Sequence, residues 1–255
     1  SKVYDHMFLD GLEDAYTGAA MGTFAQKTAD EHGLTREEMD AFAIESLTRA
    51  QRAIDEGLNS KEIAPVTIKT RRGEHTVTID EQPHKANLEK IPQLRPAFAE
   101  GGTITPANSS SISDGASALL LASESAASAH GLTPRARIVA HARNSLAPES
   151  FTLAPIGATE KVLEKAGWTA SDVDLWEVNE AFAMVTMLTT RALDLDPACV
   201  NVHGGACAQG HPVGSTGSRI IVTLIHALEH YGKKRGVAAL CIGGGEATAM
   251  AIELI

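Results

Sequence analysis

The 255-residue sequence predicts an α/β fold, a layered half with helices packed on a sheet, preceded by a mainly helical region with one hairpin. Two observations carry that prediction. From about Pro134 onward, short apolar runs of strand length alternate with stretches of helical spacing. Before that point the chain shows helical periodicity, one paired-strand signal and then proline-rich connection. With 44% hydrophobic and 21% charged residues, the composition is that of a chain able to bury a real core.

The elements follow in order. The chain opens on Ser1 rather than Met and runs into a helical pattern, so it reads as an internal fragment. Thr35 and Glu38 form a capping-box pattern, with Leu34 and Met39 placed as a hydrophobic staple. Met39, Phe42, Ala43, Leu47, Ala50 and Ile54 then recur at helical spacing, and Gly57 stands at the expected stop. Residues 63–69 and 75–79 read as a hairpin around Arg71-Arg72-Gly73. Residues 80–96, with Pro83, Pro92 and Pro96, read as irregular connection, and 105–113 as a Ser/Asn-rich linker. The apolar run 118–122 reads as a loop feeding a buried helix and strand.

In the second half, strands are predicted at 137–141, 175–178, 200–202, 237–242 and 247–254. Helices are predicted at 157–166 with Gly167 as stop, 180–193, and 212–231 with Gly232 as stop.

A formal net charge of −10 argues against nucleic-acid binding, which needs a basic surface. No apolar run approaches membrane-spanning length. Three cysteines are not a disulfide framework and fit a reducing cytoplasm. Neither a Walker A pattern nor G-x-G-x-x-G occurs, and Ser215 and Ser218 lack the nucleophile elbow of serine hydrolases.

Three segments place a reactive residue at a strand end beside glycines or a helix start, where ligands collect in α/β sheets. Asn179 follows the 175–178 strand. His211 precedes Pro212 at the expected N-cap, where the helix dipole favours a neutral imidazole able to accept a proton. Cys241 ends a strand just ahead of Gly243, Gly244 and Gly245, whose N–H groups are candidates for stabilising an oxyanion. Taken singly, each has a simpler reading, since a strand cysteine is usually a small buried hydrophobe. His203, Cys207 and His211 share helical spacing, but Gly204, Gly205 and Gly210 argue against a helix there, and no metal site is expected.

Taken together, Asn179-Glu180-Ala181-Phe182-Ala183, Gly204-Gly205-Ala206-Cys207-Ala208-Gln209-Gly210-His211-Pro212-Val213-Gly214 and Cys241-Ile242-Gly243-Gly244-Gly245 resemble the three C-terminal signature blocks of the thiolases, in the family's order and spacing. The resemblance runs the length of the chain and is nearest to bacterial acetyl-CoA acetyltransferases. It implies a layered thiolase-like α/β fold and acyl-CoA acyltransferase chemistry: reversible Claisen condensation of two acetyl-CoA, or thiolysis of a 3-ketoacyl-CoA. Coenzyme A is then substrate and product, and no cofactor is implied.

By the same resemblance, Asn179 holds a catalytic water and His211 activates the nucleophilic cysteine. Cys241 exchanges the α-carbon proton, and the Gly243 N–H forms half of an oxyanion hole. Ser110 and Met21 match contacts to the pantetheine arm, Arg71 a residue near the nucleotide end, and Phe151 the acyl-pocket lining. A loop-domain histidine of some biosynthetic thiolases is replaced by Ala20. No segment resembles the block that carries the family's acyl-accepting cysteine, and neither Cys199 nor Cys207 is a persuasive substitute.

The resemblance therefore divides the chain into a loop domain (1–112), a return segment of the N-terminal domain (113–133) and a C-terminal domain (134–255), with the N-terminal half missing. The implied partners are acyl-CoA, coenzyme A, that missing half, and further copies in a homodimer or homotetramer. A non-catalytic acyl-CoA-binding subunit, or one chain of a split thiolase, is the alternative from another class.

Overall fold

The computed structural model describes residues 2–255. Helices α1 (Met21–Glu31) and α2 (Arg36–Asp55) open the helical region. The Thr35 hydroxyl accepts from the Glu38 N–H at 3.2 Å, and the Glu38 carboxylate accepts from the Thr35 N–H at 2.9 Å, so the capping box forms as predicted. Met39, Ala43, Leu47 and Ala50 are buried along α2, and Gly57 ends the turn at φ +69°.

Strands β1 (Val66–Thr70) and β2 (Gly73–Val77) pair antiparallel, one to three residues from the predicted bounds. The stretch read as irregular holds α3 (Gln82–Lys85) and a 3-10 turn at Leu88–Gln93. Residues 105–113 are no loose linker. Thr105 and Asn108 are fully buried, and the Asn108 amide donates to Asp40 at 3.0 Å while its Oδ1 accepts from the Thr105 N–H. The run 118–122 differs from expectation in the other direction. It enters no strand or helix, Leu120 and Leu121 are 82% and 72% exposed, and it leads only into the short α4 (Glu124–Ala129).

The remaining elements are β3 (Ala136–Ser145), α5 (Ala154–Ala166), β4 (Leu175–Val178), α6 (Ala183–Ala192), α7 (Ala206–Gln209), α8 (Thr216–His230), β5 (Arg235–Ile242) and β6 (Glu246–Leu254). The sheet order is β3-β6-β5-β4, with β4 and β5 parallel and the other pairs antiparallel. One face packs Ala158, Val162 and Leu163 of α5 against Trp176, Val237, Ala249 and Ala251. The other packs Ile220, Leu224 and Leu228 of α8 against Leu175, Ala238 and Ile252. Each such Leu or Ile contributes roughly 2 kcal/mol of burial, which fixes both helices to the sheet. Among the described residues, no helix is long and apolar enough to cross a membrane.

Three boundaries depart from the sequence reading where the chain spends its backbone bonds elsewhere. Residues 180–182 are not helical: Phe182 bridges Ser109, and the Ala183 N–H donates to Asn108 O. Residues 200–202 make only one bridge, Trp176 to Val200. Helix α8 starts at Thr216 rather than Pro212, because His211 is held extended beside Ile112 in a parallel bridge.

Candidate active site

Asn179 stands one residue past β4, its N–H donating to Ala239 O of the neighbouring parallel strand at 2.9 Å. The side chain is 2% exposed, with Nδ2 at 3.3 Å from His211 Nε2. Its Oδ1 has no hydrogen-bond partner among the described residues.

His211 is fixed by backbone on one side and by a side chain on the other. Its N–H donates to Ser111 O at 3.1 Å. Gly210 precedes it at φ +88°, and a Cβ there would run into Ser113, so this approach is open only to glycine. The ring Nδ1 lies 2.6 Å from Thr216 Oγ1, which is itself 3.0 Å from Pro212 O. The N-cap expectation is corrected, since Ser215 occupies that position. Burial first, and then the Arg219 guanidinium, push the His211 pKa down to about 4. The imidazole is neutral near pH 7, as read from the sequence, but for a different reason.

Cys241 lies near the end of β5, the strand beside β4, and shares a buried cluster with Met21, Phe151, Ala181 and Phe182. Burial pushes its thiol up to about 12. Beyond it, the Gly244 and Gly245 N–H groups both donate to Ile242 O, at 3.0 and 3.3 Å. They are therefore engaged, contrary to the expectation that all three glycine N–H groups are free. The exposed Gly243 N–H makes no hydrogen bond among the described residues. A Cβ on Gly243 would sit 3.3 Å from Met21 Sδ, so Met21 of α1 reaches this turn.

The loop 105–113 ties these parts together. The Ser110 N–H and hydroxyl both donate to Ala181 O at 3.0 Å, and the next residue holds His211. Phe151 is 3% exposed and meets Phe182 edge-to-face at 6.4 Å. Arg71 stands apart, exposed at the tip of the β1–β2 hairpin. His203 packs against His230 and Tyr231, rather than beside Cys207 and His211 as helical spacing would place it.

Sequence reasoning missed a layer of buried polar groups behind this rim. Glu180 accepts from the Ser46 hydroxyl at 2.7 Å, the Asn201 amide at 2.8 Å and the Cys207 N–H at 3.0 Å. It thereby ties α2, the 179–183 block and the histidine block together. Glu177 is 2% exposed, with Arg219 as the charge that most favours its ionised form, and burial pushes its pKa up to about 8. Burial also raises Glu62. The available signal was a glutamate inside the otherwise apolar Leu175-Trp176-Glu177-Val178 strand.

Residues 1–125 match the family model "Thiolase, N-terminal domain", and residues 132–254 match "Thiolase, C-terminal domain". The chain is 48% identical over 250 residues to a probable acetyl-CoA acetyltransferase of Dictyostelium discoideum, covering 98% of this chain and 60% of that protein. The fold superimposes with a TM-score of 0.96 on the Bacillus anthracis acetyl-CoA acetyltransferase, at 40% identity over 100% of this chain and 65% of that one. An Ascaris suum thiolase in complex with coenzyme A matches at a TM-score of 0.90 and 39% identity, over 100% and 65%. The chain belongs to the thiolase family. The N-terminal family model covers residues 1–125, the stretch read above as loop domain and most of the return segment. The chain spans less than two thirds of the length of these relatives.

Proposed function

We propose that the chain supplies base, proton donor and substrate-binding groups for acyl transfer between acyl-CoA thioesters, with acetyl-CoA condensation and acetoacetyl-CoA thiolysis as the reaction. The observation that carries this reading is the Asn179–His211 contact at 3.3 Å, one strand from Cys241. A neutral His211 accepts the proton of an attacking thiol at Nε2 and, once protonated, donates to an enolate oxygen. Asn179 Oδ1, buried without a protein partner, holds a water beside it. The Cys241 thiol stays protonated at neutral pH and delivers a proton to the substrate α-carbon. In reverse, its thiolate is basic enough to abstract that weakly acidic proton. The Gly243 N–H donates to the thioester oxyanion. Met21, Ser110 and Phe151 line the approach of the pantetheine arm and acyl group, and Arg71 meets the nucleotide end.

The acyl-accepting thiolate comes from elsewhere. Burial raises all three thiols, Cys199, Cys207 and Cys241, so none is set up as a nucleophile at neutral pH. Further thiolase sequence, on this polypeptide or another, provides it and covers the exposed run 118–122. The loop-domain, return-segment and C-terminal divisions at 1–112, 113–133 and 134–255 belong to this proposal. So does a homodimer or homotetramer as the working assembly. The three free cysteines support a reducing compartment such as the cytoplasm.

Intact-mass analysis after incubation with acetyl-CoA tests this reading. The 255-residue chain alone should show no acetyl adduct, and adding the rest of the N-terminal domain should restore acylation and thiolysis. In that complex, Cys241→Ser should suppress condensation far more than acyl transfer. Stoichiometric acetylation of Cys199, Cys207 or Cys241 in the chain alone would overturn the assignment of roles. Saturable coenzyme A binding without turnover in the complex would favour the non-catalytic subunit.

A further inference from the structure

We propose that Thr216 is a positioning residue that fixes the tautomer and orientation of His211. The two contacts of its hydroxyl make the case. Oγ1 lies 3.0 Å from Pro212 O and 2.6 Å from His211 Nδ1, and the residue is fully buried. A hydroxyl carries one proton. A threonine in the first turn of a helix gives that proton to the carbonyl four residues back, which here is Pro212 O. Oγ1 then presents a lone pair to Nδ1, and Nδ1 must bring the hydrogen. The neutral ring is therefore protonated at Nδ1 and bare at Nε2. On the far side of the ring, Asn179 Nδ2 at 3.3 Å is a donor, which requires the same bare Nε2.

Two partners on opposite edges of the imidazole thus select one tautomer. It is the tautomer that leaves the outward nitrogen free to take a proton. When Nε2 does become protonated, Nδ1–H keeps its bond to Thr216, so the ring need not turn during the transfer. The same contact sets the plane of the ring, because rotation about the Cβ–Cγ bond would break a 2.6 Å hydrogen bond in a partly buried site. Thr216 touches no reacting atom and acts only through His211. This role rests on the reading of His211 as the base.

The test uses long-range proton–nitrogen correlation spectra of the 255-residue chain with 15N-labelled histidine, recorded at pH 7, where the ring is neutral. Wild type should show a protonated Nδ1 and an unprotonated Nε2 for His211. Thr216→Ser keeps the hydroxyl and should give the same pattern. Thr216→Val keeps the shape and removes the acceptor, and should shift the tautomer ratio toward Nε2–H by about tenfold, the value of one hydrogen bond. A wild-type ring carrying its proton on Nε2 would overturn the proposal, even if the valine variant fails to fold. An unchanged ratio in folded Thr216→Val would overturn it as well. The spectrum needs no turnover, so an inactive complex with an Nδ1–H wild-type ring would count against the proposed function and not against this inference.

Discussion

Replacing Glu177 by glutamine keeps the shape of a side chain that is 2% exposed and removes its ability to ionise. Its Oε1 has no hydrogen-bond partner among the described residues, and burial raises its pKa from 4.5 to about 8. Below pH 4.5 the carboxyl is protonated in both folded and unfolded chains, and glutamine gains nothing. Between 4.5 and about 8 the unfolded chain has released a proton that the folded chain still holds, so wild-type stability falls as pH rises. At about 1.4 kcal/mol per pH unit, the full window costs on the order of 5 kcal/mol. The variant escapes this, less what Arg219 loses when a neighbouring carboxylate can no longer form. Urea denaturation followed by circular dichroism at pH 5 and pH 8.5 reads the difference. Glu177→Gln should be nearly as stable as wild type at pH 5 and more stable by a few kcal/mol at pH 8.5. A difference that is the same at both pH values would refute the reasoning.

Glu180→Gln should lose about 1–3 kcal/mol in the same assay. Asn201 is locked by its bonds with the Val178 N–H and C=O, so one donor must face the new amide group; undiminished stability would count against the network. Cys199 and Cys207 are both half-buried, but burial and the neighbouring Glu180 push the Cys207 thiol well up, so Cys199 should react first with a thiol reagent and buried Cys241 should stay slow until unfolding; peptide mapping that found Cys241 first would contradict its burial. His211 should titrate near pH 4 by NMR. Its lowered pKa gives a stability contribution that is complete above about pH 6.5 and lost as pH falls toward 4, and a midpoint near 6.5 would show a solvated ring.

What was legible in the sequence is what depends on local chemistry. The Thr35 capping box, the Gly57 and Gly167 stops and the bounds of β4 all follow from neighbours in the chain. The misread boundaries are those set by distant partners. Pro212 signals a helix start, yet the bridge between His211 and Ile112 postpones α8 to Thr216. Glu180 opens a helical pattern, but its carboxylate is claimed by Ser46 and Asn201 and its neighbours pair with 108–110. Asn179, His211 and Cys241 stood out because reactive residues beside glycines at strand ends are uncommon. Thr216 did not, since a threonine in a helical turn has no distinguishing mark until a ring is found against it.

The segment 105–113 has the composition of a spacer, the kind of sequence where insertions and deletions accumulate harmlessly in other loops. Here Ser110 grips Ala181, and Ser111 and Ile112 grip His211, so the loop works as a ruler between two distant stretches of chain. Adding one residue between Ser110 and Ser111 would shift the second grip by about 3.3 Å and turn its side chains over. Natural variation should therefore tolerate exchange among small residues in this loop but very little change in its length.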